Sequence, residues 1–156
     1  MAKKDVCDLM KFLLPYPDSV KASALWLREF IWDIYPDTNE LIYDNYNALA
    51  FGWSLTDKAG DVFCSVAVYA NYVNFGFNRG SEIHDPEVFL KGDGSLHRYI
   101  RVTDKDNFPE NYMKQLVQSA YENIVERVKP AKKIFKGETI VKSISPVKRR
   151  PVCETD

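Results

Sequence analysis

Two amphipathic helical stretches bracketing a run of short β-rich segments predict an α+β domain, an antiparallel sheet of about five strands with helices packed on one face. Apolar residues recur at helical spacing over 18–35 and again over 109–128. Between them, 40–102 is built of short runs rich in β-branched and aromatic residues, separated by turn signals. These runs stand too close together for parallel crossovers, which need a dozen or more residues, so consecutive strands must pair as antiparallel hairpins.

The elements follow in order. Val6, Leu9, Met10, Leu13 and Leu14 form one face of a short helix that Pro15 and Pro17 end. Val20, Ala24, Leu27, Phe30 or Ile31, and Ile34 line a second helix, with Asp18 placed to cap its first turn and Pro36 to stop it. Strands are expected at 40–44 (ELIYD), 48–55 (ALAFGWSL), 62–70 (VFCSVAVYA), 72–77 (YVNFGF) and 97–102 (HRYIRV), with tight turns at Asp57–Gly60 and Ala70–Asn71. Val66, Ala67 and Val68 are apolar on both strand phases, which predicts a central strand covered on both faces. The polar connection 78–96 is long enough to suggest a task of its own. Pro109 fits the first turn of a last helix carrying Met113, Leu116, Val117, Ala120, Ile124 and Val128 on one stripe.

Composition narrows the functional classes. The chain has 156 residues, 46% of them hydrophobic, which suits one globular domain over 1–129. No stretch approaches the roughly 20 apolar residues of a membrane span, and no cleavable leader opens the sequence, so a cytoplasmic protein with no membrane partner is expected. Cys7, Cys64 and Cys153 are odd in number and widely spaced, which fits reduced thiols. Residues 130–156 carry seven Lys or Arg against three acids, leaving the body at −5 within a net charge of −1. A basic tail on an acidic body is not the footprint of a nucleic-acid-binding domain, so no nucleic-acid partner is expected. The tail is expected to be loosely docked or disordered, although GETIVKSIS has the pattern of an edge strand.

The runs LIYDNYNALAFGWS (41–54) and VFCSVAVYANYVNFGFNRGSEIHDPEVFLKGDGSLHRYIRV (62–102) resemble the YdhG-like family of domains of unknown function. The resemblance spans about residues 19–128 and rests on Tyr43–Leu49, Gly80, Asp85–Pro86, Gly92-x-Gly94 and Arg98-x-Ile100-Arg101. Tyr99 stands where the family often has His, and Asn74–Gly80 where it has an aromatic-rich FFLQG. The resemblance implies an α+β fold with an antiparallel sheet packed on helices. Some relatives are described as frataxin-like iron carriers.

Read as chemistry, the residues favour binding over catalysis. Glu29, Asp33, Asp37, Glu40 and Asp44 could supply oxygen ligands to iron, but spacing alone does not make them converge, and no metal ligand is assigned. Two histidines are too few for a histidine-rich metal site. No GxSxG elbow is present, Cys64 lies mid-strand in an apolar run, and Gly92-Asp93-Gly94 lacks the rest of a phosphate loop, so no catalytic residue is assigned. The most informative cluster is Tyr43, Asp44, Tyr46 and Asn47, with Arg79, Arg98 and Arg101 expected nearby. An Asp44–arginine pair, or arginines beside aromatic rings holding a small anion, would follow. The leading expectation is a non-catalytic binding or accessory domain for a small ligand or protein partner, using the second sheet face and the 78–96 loop; the cofactor is unknown. A frataxin-like iron carrier and an enzyme on a small anionic substrate are the alternatives. A homodimer is also expected, because Phe51, Trp53, Phe63, Tyr69, Phe75 and Phe77 exceed what one core layer holds.

Overall fold

The structure is a computed structural model and describes residues 7–45, 48–130 and 137–146. Three helices, α1 (Cys7–Leu13), α2 (Asp18–Ile34) and α3 (Glu110–Arg127), accompany six strands: β1 (Asn39–Asp44), β2 (Leu49–Ser54), β3 (Val62–Val68), β4 (Val73–Phe77), β5 (Arg98–Val102) and β6 (Thr139–Ile144). They form one mixed sheet in the order β5-β4-β3-β2-β1-β6. β1 to β5 are antiparallel neighbours, and β6 joins parallel to β1. Among the described residues, no helix is long and apolar enough to cross a membrane.

Helix boundaries follow backbone chemistry. The Tyr35 amide still reaches the Ile31 carbonyl at 2.9 Å, and then Pro36, which has no N–H, ends α2. Asp18 is not the cap that the sequence suggested. Pro17 holds that position, and Asp18 begins the first turn and pairs with Lys21 at 3.2 Å. In α1, Leu9 and Leu13 are buried, whereas Met10 and, just past the helix end, Leu14 face solvent.

The strands put nearly all their bulk on one side. Successive side chains alternate between faces, and registry aligns Phe51, Val66, Phe75 and Ile100 across β2–β5, all buried against the helices. Phe51, Trp53, Phe75 and Phe77 are fully enclosed and Phe63 nearly so, which corrects the expected dimer contact. Three helices and the 78–96 loop suffice to cover that face, and only Tyr69 of the six aromatics remains half-buried. Val66 and Val68 are buried and Ala67 is half-buried, because among the described residues no helix covers the second face of this central strand.

The tail is also corrected in part. Residues 139–144 form the edge strand β6, whose Thr139 hydroxyl donates to the Glu40 carboxylate at 3.0 Å. Arg28 of α2 donates to the same carboxylate through Nε at 2.7 Å and Nη2 at 3.1 Å, and its guanidinium lies 4.4 Å from the Trp32 ring centre. A buried ion pair thus ties helix, sheet and edge strand together. The rest of the tail beyond residue 146, with Cys153, lies outside the described residues.

Candidate functional site

The face away from the helices is paved with small residues. Cross-strand registry places Tyr43, Ala50, Ala67, Asn74 and Arg101 in one row across β1–β5. The adjacent row runs Leu41, Gly52, Ser65, Gly76 and Tyr99. On β2 to β4 the largest side chain in either row is Asn74, so the middle of this face is a shallow trough, with the His97 imidazole lying over Gly76 on one side of it. Ala50, Ser65, Ala67 and Asn74 are each half-buried. Leu41 is fully buried yet stands apart from the main core cluster, as expected for a residue on the opposite face.

The glycines in the floor are required by close approach. A Cβ on Gly52 would meet Val62 Cγ1 at 2.8 Å and Ser65 Cβ at 3.1 Å; one on Gly76 would meet His97 Cε1 at 2.8 Å. The His97 imidazole therefore lies against Gly76, stacked with Tyr99 at 6.1 Å between ring centres. Burial, and then neighbouring Arg98, lowers the His97 pKa. Tyr69 and Tyr72 stack at 4.9 Å where the β3–β4 turn closes, and the Arg101 guanidinium sits 3.8 Å from the Tyr72 ring centre. Burial raises the Tyr69 phenol, with Tyr72 and Tyr99 adding to the effect.

Two polar atoms in the first row are unsatisfied. Tyr43 Oη and Asn74 Oδ1 are buried and meet no hydrogen-bond partner among the described residues. Burial also raises the Tyr43 pKa, keeping it a neutral phenol. A buried polar atom without a partner costs about 1–3 kcal/mol, and such atoms are uncommon in folded proteins. The third such atom, Trp53 Nε1, lies on the helix-covered side.

The expected site is only partly assembled. Tyr43 and Arg101 share the open face at opposite ends of one row, roughly 19 Å apart at the usual strand spacing. Asp44 is buried on the opposite face from Tyr43, as the two-residue period requires, and lies four strands from Arg98 and Arg101. An ion pair between Asp44 and either arginine is therefore ruled out by topology. Arg79 pairs instead with Glu82, through Nε at 2.7 Å and Nη2 at 2.8 Å. Arg98 Nη1 donates to the Gly94 carbonyl at 2.6 Å and the His97 carbonyl at 2.7 Å, closing the 78–96 loop. Tyr46 and Asn47 lie outside the described residues. The residues missed at sequence level are the small ones, Ala50, Gly52, Ser65, Ala67 and Gly76, although their i, i+2 recurrence in three consecutive strands was a usable signal.

Part of the 78–96 loop, expected to share in binding, is engaged in the core and with α3. Ile83 and Leu90 enter the main core, and Asp85 accepts hydrogen bonds from Phe89 N at 3.1 Å, Leu90 N at 2.9 Å and the Tyr112 hydroxyl of α3. Burial alone would raise the Asp85 pKa, but these hydrogen bonds bring it below the ordinary carboxylate value.

The acids considered for iron are also separated. Glu29 and Asp33 are exposed on α2, where Glu29 lines two open grooves of about 510 and 290 Å³ on either side of Trp26. Glu40 is committed to Arg28 and Thr139. Among the described residues, no group of three or more His, Cys, Asp or Glu side chains is gathered where it could hold a metal. Cys64 is enclosed in the core, where burial raises its thiol pKa well above the usual value, so a reactive thiolate is disfavoured.

Fold and site together define an α+β domain with one helix-covered sheet face and a second, small-residue face that no helix covers among the described residues. No family model, curated protein or solved structure matches the chain.

Proposed function

We propose that this chain is a non-catalytic binding domain that receives a small ligand on the helix-free face of its sheet. One observation carries the reading: Tyr43 Oη and Asn74 Oδ1, buried and unpartnered, stand in the same cross-strand row with only Ala50 and Ala67 between them. A seated ligand can satisfy both oxygens and cover apolar floor, so the free protein holds groups whose desolvation cost binding recovers. Membership of the YdhG-like family, proposed from the motifs around Tyr43 and Arg98, fits a domain of this kind.

Ala67→Phe tests the reading, because it fills the trough from a half-buried position on a central strand. Phenylalanine suits a strand, so stability should change by no more than about 1 kcal/mol. Saturation-transfer NMR with a library of small aromatic fragments should give hits on the native protein that vanish in the variant. Hits that persist in Ala67→Phe, or a library with none, would refute it.

A further inference from the structure

From the same row we infer that the ligand is a planar aromatic carboxylate with a ring N–H beside its carboxyl group, an assignment that rests on the binding reading above. The floor sets the shape. Ala50, Ala67 and Ser65 rise only one or two heavy atoms above the backbone, so the matching surface over them is flat, while Val62 and His97 fill the space beside Gly52 and Gly76. Ala50, Ser65 and Ala67 carry no charge, so the body of the ligand is uncharged where it rests on them.

The polar end sets the chemistry. Asn74 and Arg101 are directly paired across β4 and β5, which places an acceptor beside a cation about 5 Å apart at their Cα atoms. Asn74 Oδ1 is buried and unfilled, so it requires an N–H or O–H donor. Arg101 is exposed and pairs with no carboxylate among the described residues, while its stacking on Tyr72 holds the guanidinium in place. A planar fork of donors matches a carboxylate in bidentate geometry. An N–H adjacent to a carboxylate on one flat ring satisfies Asn74 and Arg101 together.

Indole-2-carboxylate carries all three features and is the probe. Calorimetric titration should give sub-millimolar binding, weakened about tenfold or more with indole, which lacks the anion, and with benzofuran-2-carboxylate, which lacks the N–H. Arg101→Met should erase the advantage of indole-2-carboxylate over indole, and Asn74→Leu its advantage over benzofuran-2-carboxylate. Adenosine monophosphate, planar but anionic through a distant phosphate, should bind more weakly than the probe. Equal affinity for the three ring compounds, tighter binding of the nucleotide, or losses that do not follow the two substitutions would overturn the assignment. If indole-2-carboxylate fails while Ala67→Phe still removes other fragment hits, the ligand class is wrong and the binding face stands. If both fail, the face itself is wrong.

Discussion

Arg28→Ala should be the most damaging single substitution outside the apolar core. Arg28 and Glu40 have side-chain exposures of 4% and 0%, so neither charge has recourse to water. Removing the guanidinium breaks two hydrogen bonds to Glu40 and the contact with Trp32, leaving a buried carboxylate with only the Thr139 hydroxyl. Breaking a buried pair from one side costs about 3–5 kcal/mol, which at about 2–4 °C per kcal/mol for a chain of this size lowers the melting temperature by roughly 10 °C. Burial already raises the Glu40 pKa, against the opposing pull of Arg28 and Thr139, and losing Arg28 raises it further. A folded-state pKa above the unfolded value favours folding at low pH and loses that contribution as pH rises through the folded value. The gap between variant and native protein should therefore be wider at pH 8 than at pH 5. Urea unfolding followed by tryptophan fluorescence at both pH values measures it, and Arg28→Met combined with Glu40→Leu should recover most of the loss. A cost below about 1 kcal/mol at pH 8, or a gap independent of pH, would refute the reasoning.

Removing residues 137–156 should lower the melting temperature by more than 5 °C, since β6 covers the β1 edge and supplies Thr139 to Glu40; differential scanning fluorimetry reads this. Gly80→Ala should cost about 1–3 kcal/mol in urea unfolding, because the added Cβ would lie 2.5 Å from Arg98 Cβ and 3.0 Å from its backbone nitrogen. Asp85, with its pKa lowered in the fold, contributes stability above the ordinary carboxylate pKa that is lost as pH falls through the folded value. In Tyr112→Phe its carboxyl resonance should titrate at higher pH by carbon-detected NMR, as one of the opposing hydrogen bonds is gone.

The elements were legible because their signals are local. The strands expected at 62–70 and 72–77 are found at 62–68 and 73–77, on either side of a turn closed by the Tyr69 amide on the Tyr72 carbonyl. The helix expected at 18–35 is found at 18–34, bounded by its prolines. Strand order was not legible, since pairing of β6 with β1 across almost 100 residues leaves no periodic trace. Lys142 and Ile144 of β6 face solvent, so an edge strand held chiefly by main-chain pairing carries a weak apolar pattern. That gap in strand order is also why Asp44 and the arginines were grouped together. The six aromatics were read as more than one core layer holds, yet five of them are buried in that single layer. Ala50 with Gly52, Ser65 with Ala67, and Asn74 with Gly76 give the other face little bulk of its own.

Amide chemical-shift mapping of the nitrogen-15-labelled protein against indole-2-carboxylate and the best fragment hits is the most direct test of the central claim. The largest shifts should fall on Ala50, Gly52, Ser65, Ala67, Asn74 and Arg101, with α2 unmoved. Shifts centred on the grooves beside Trp26 and Glu29, or none on the open face at saturating fragment, would contradict it.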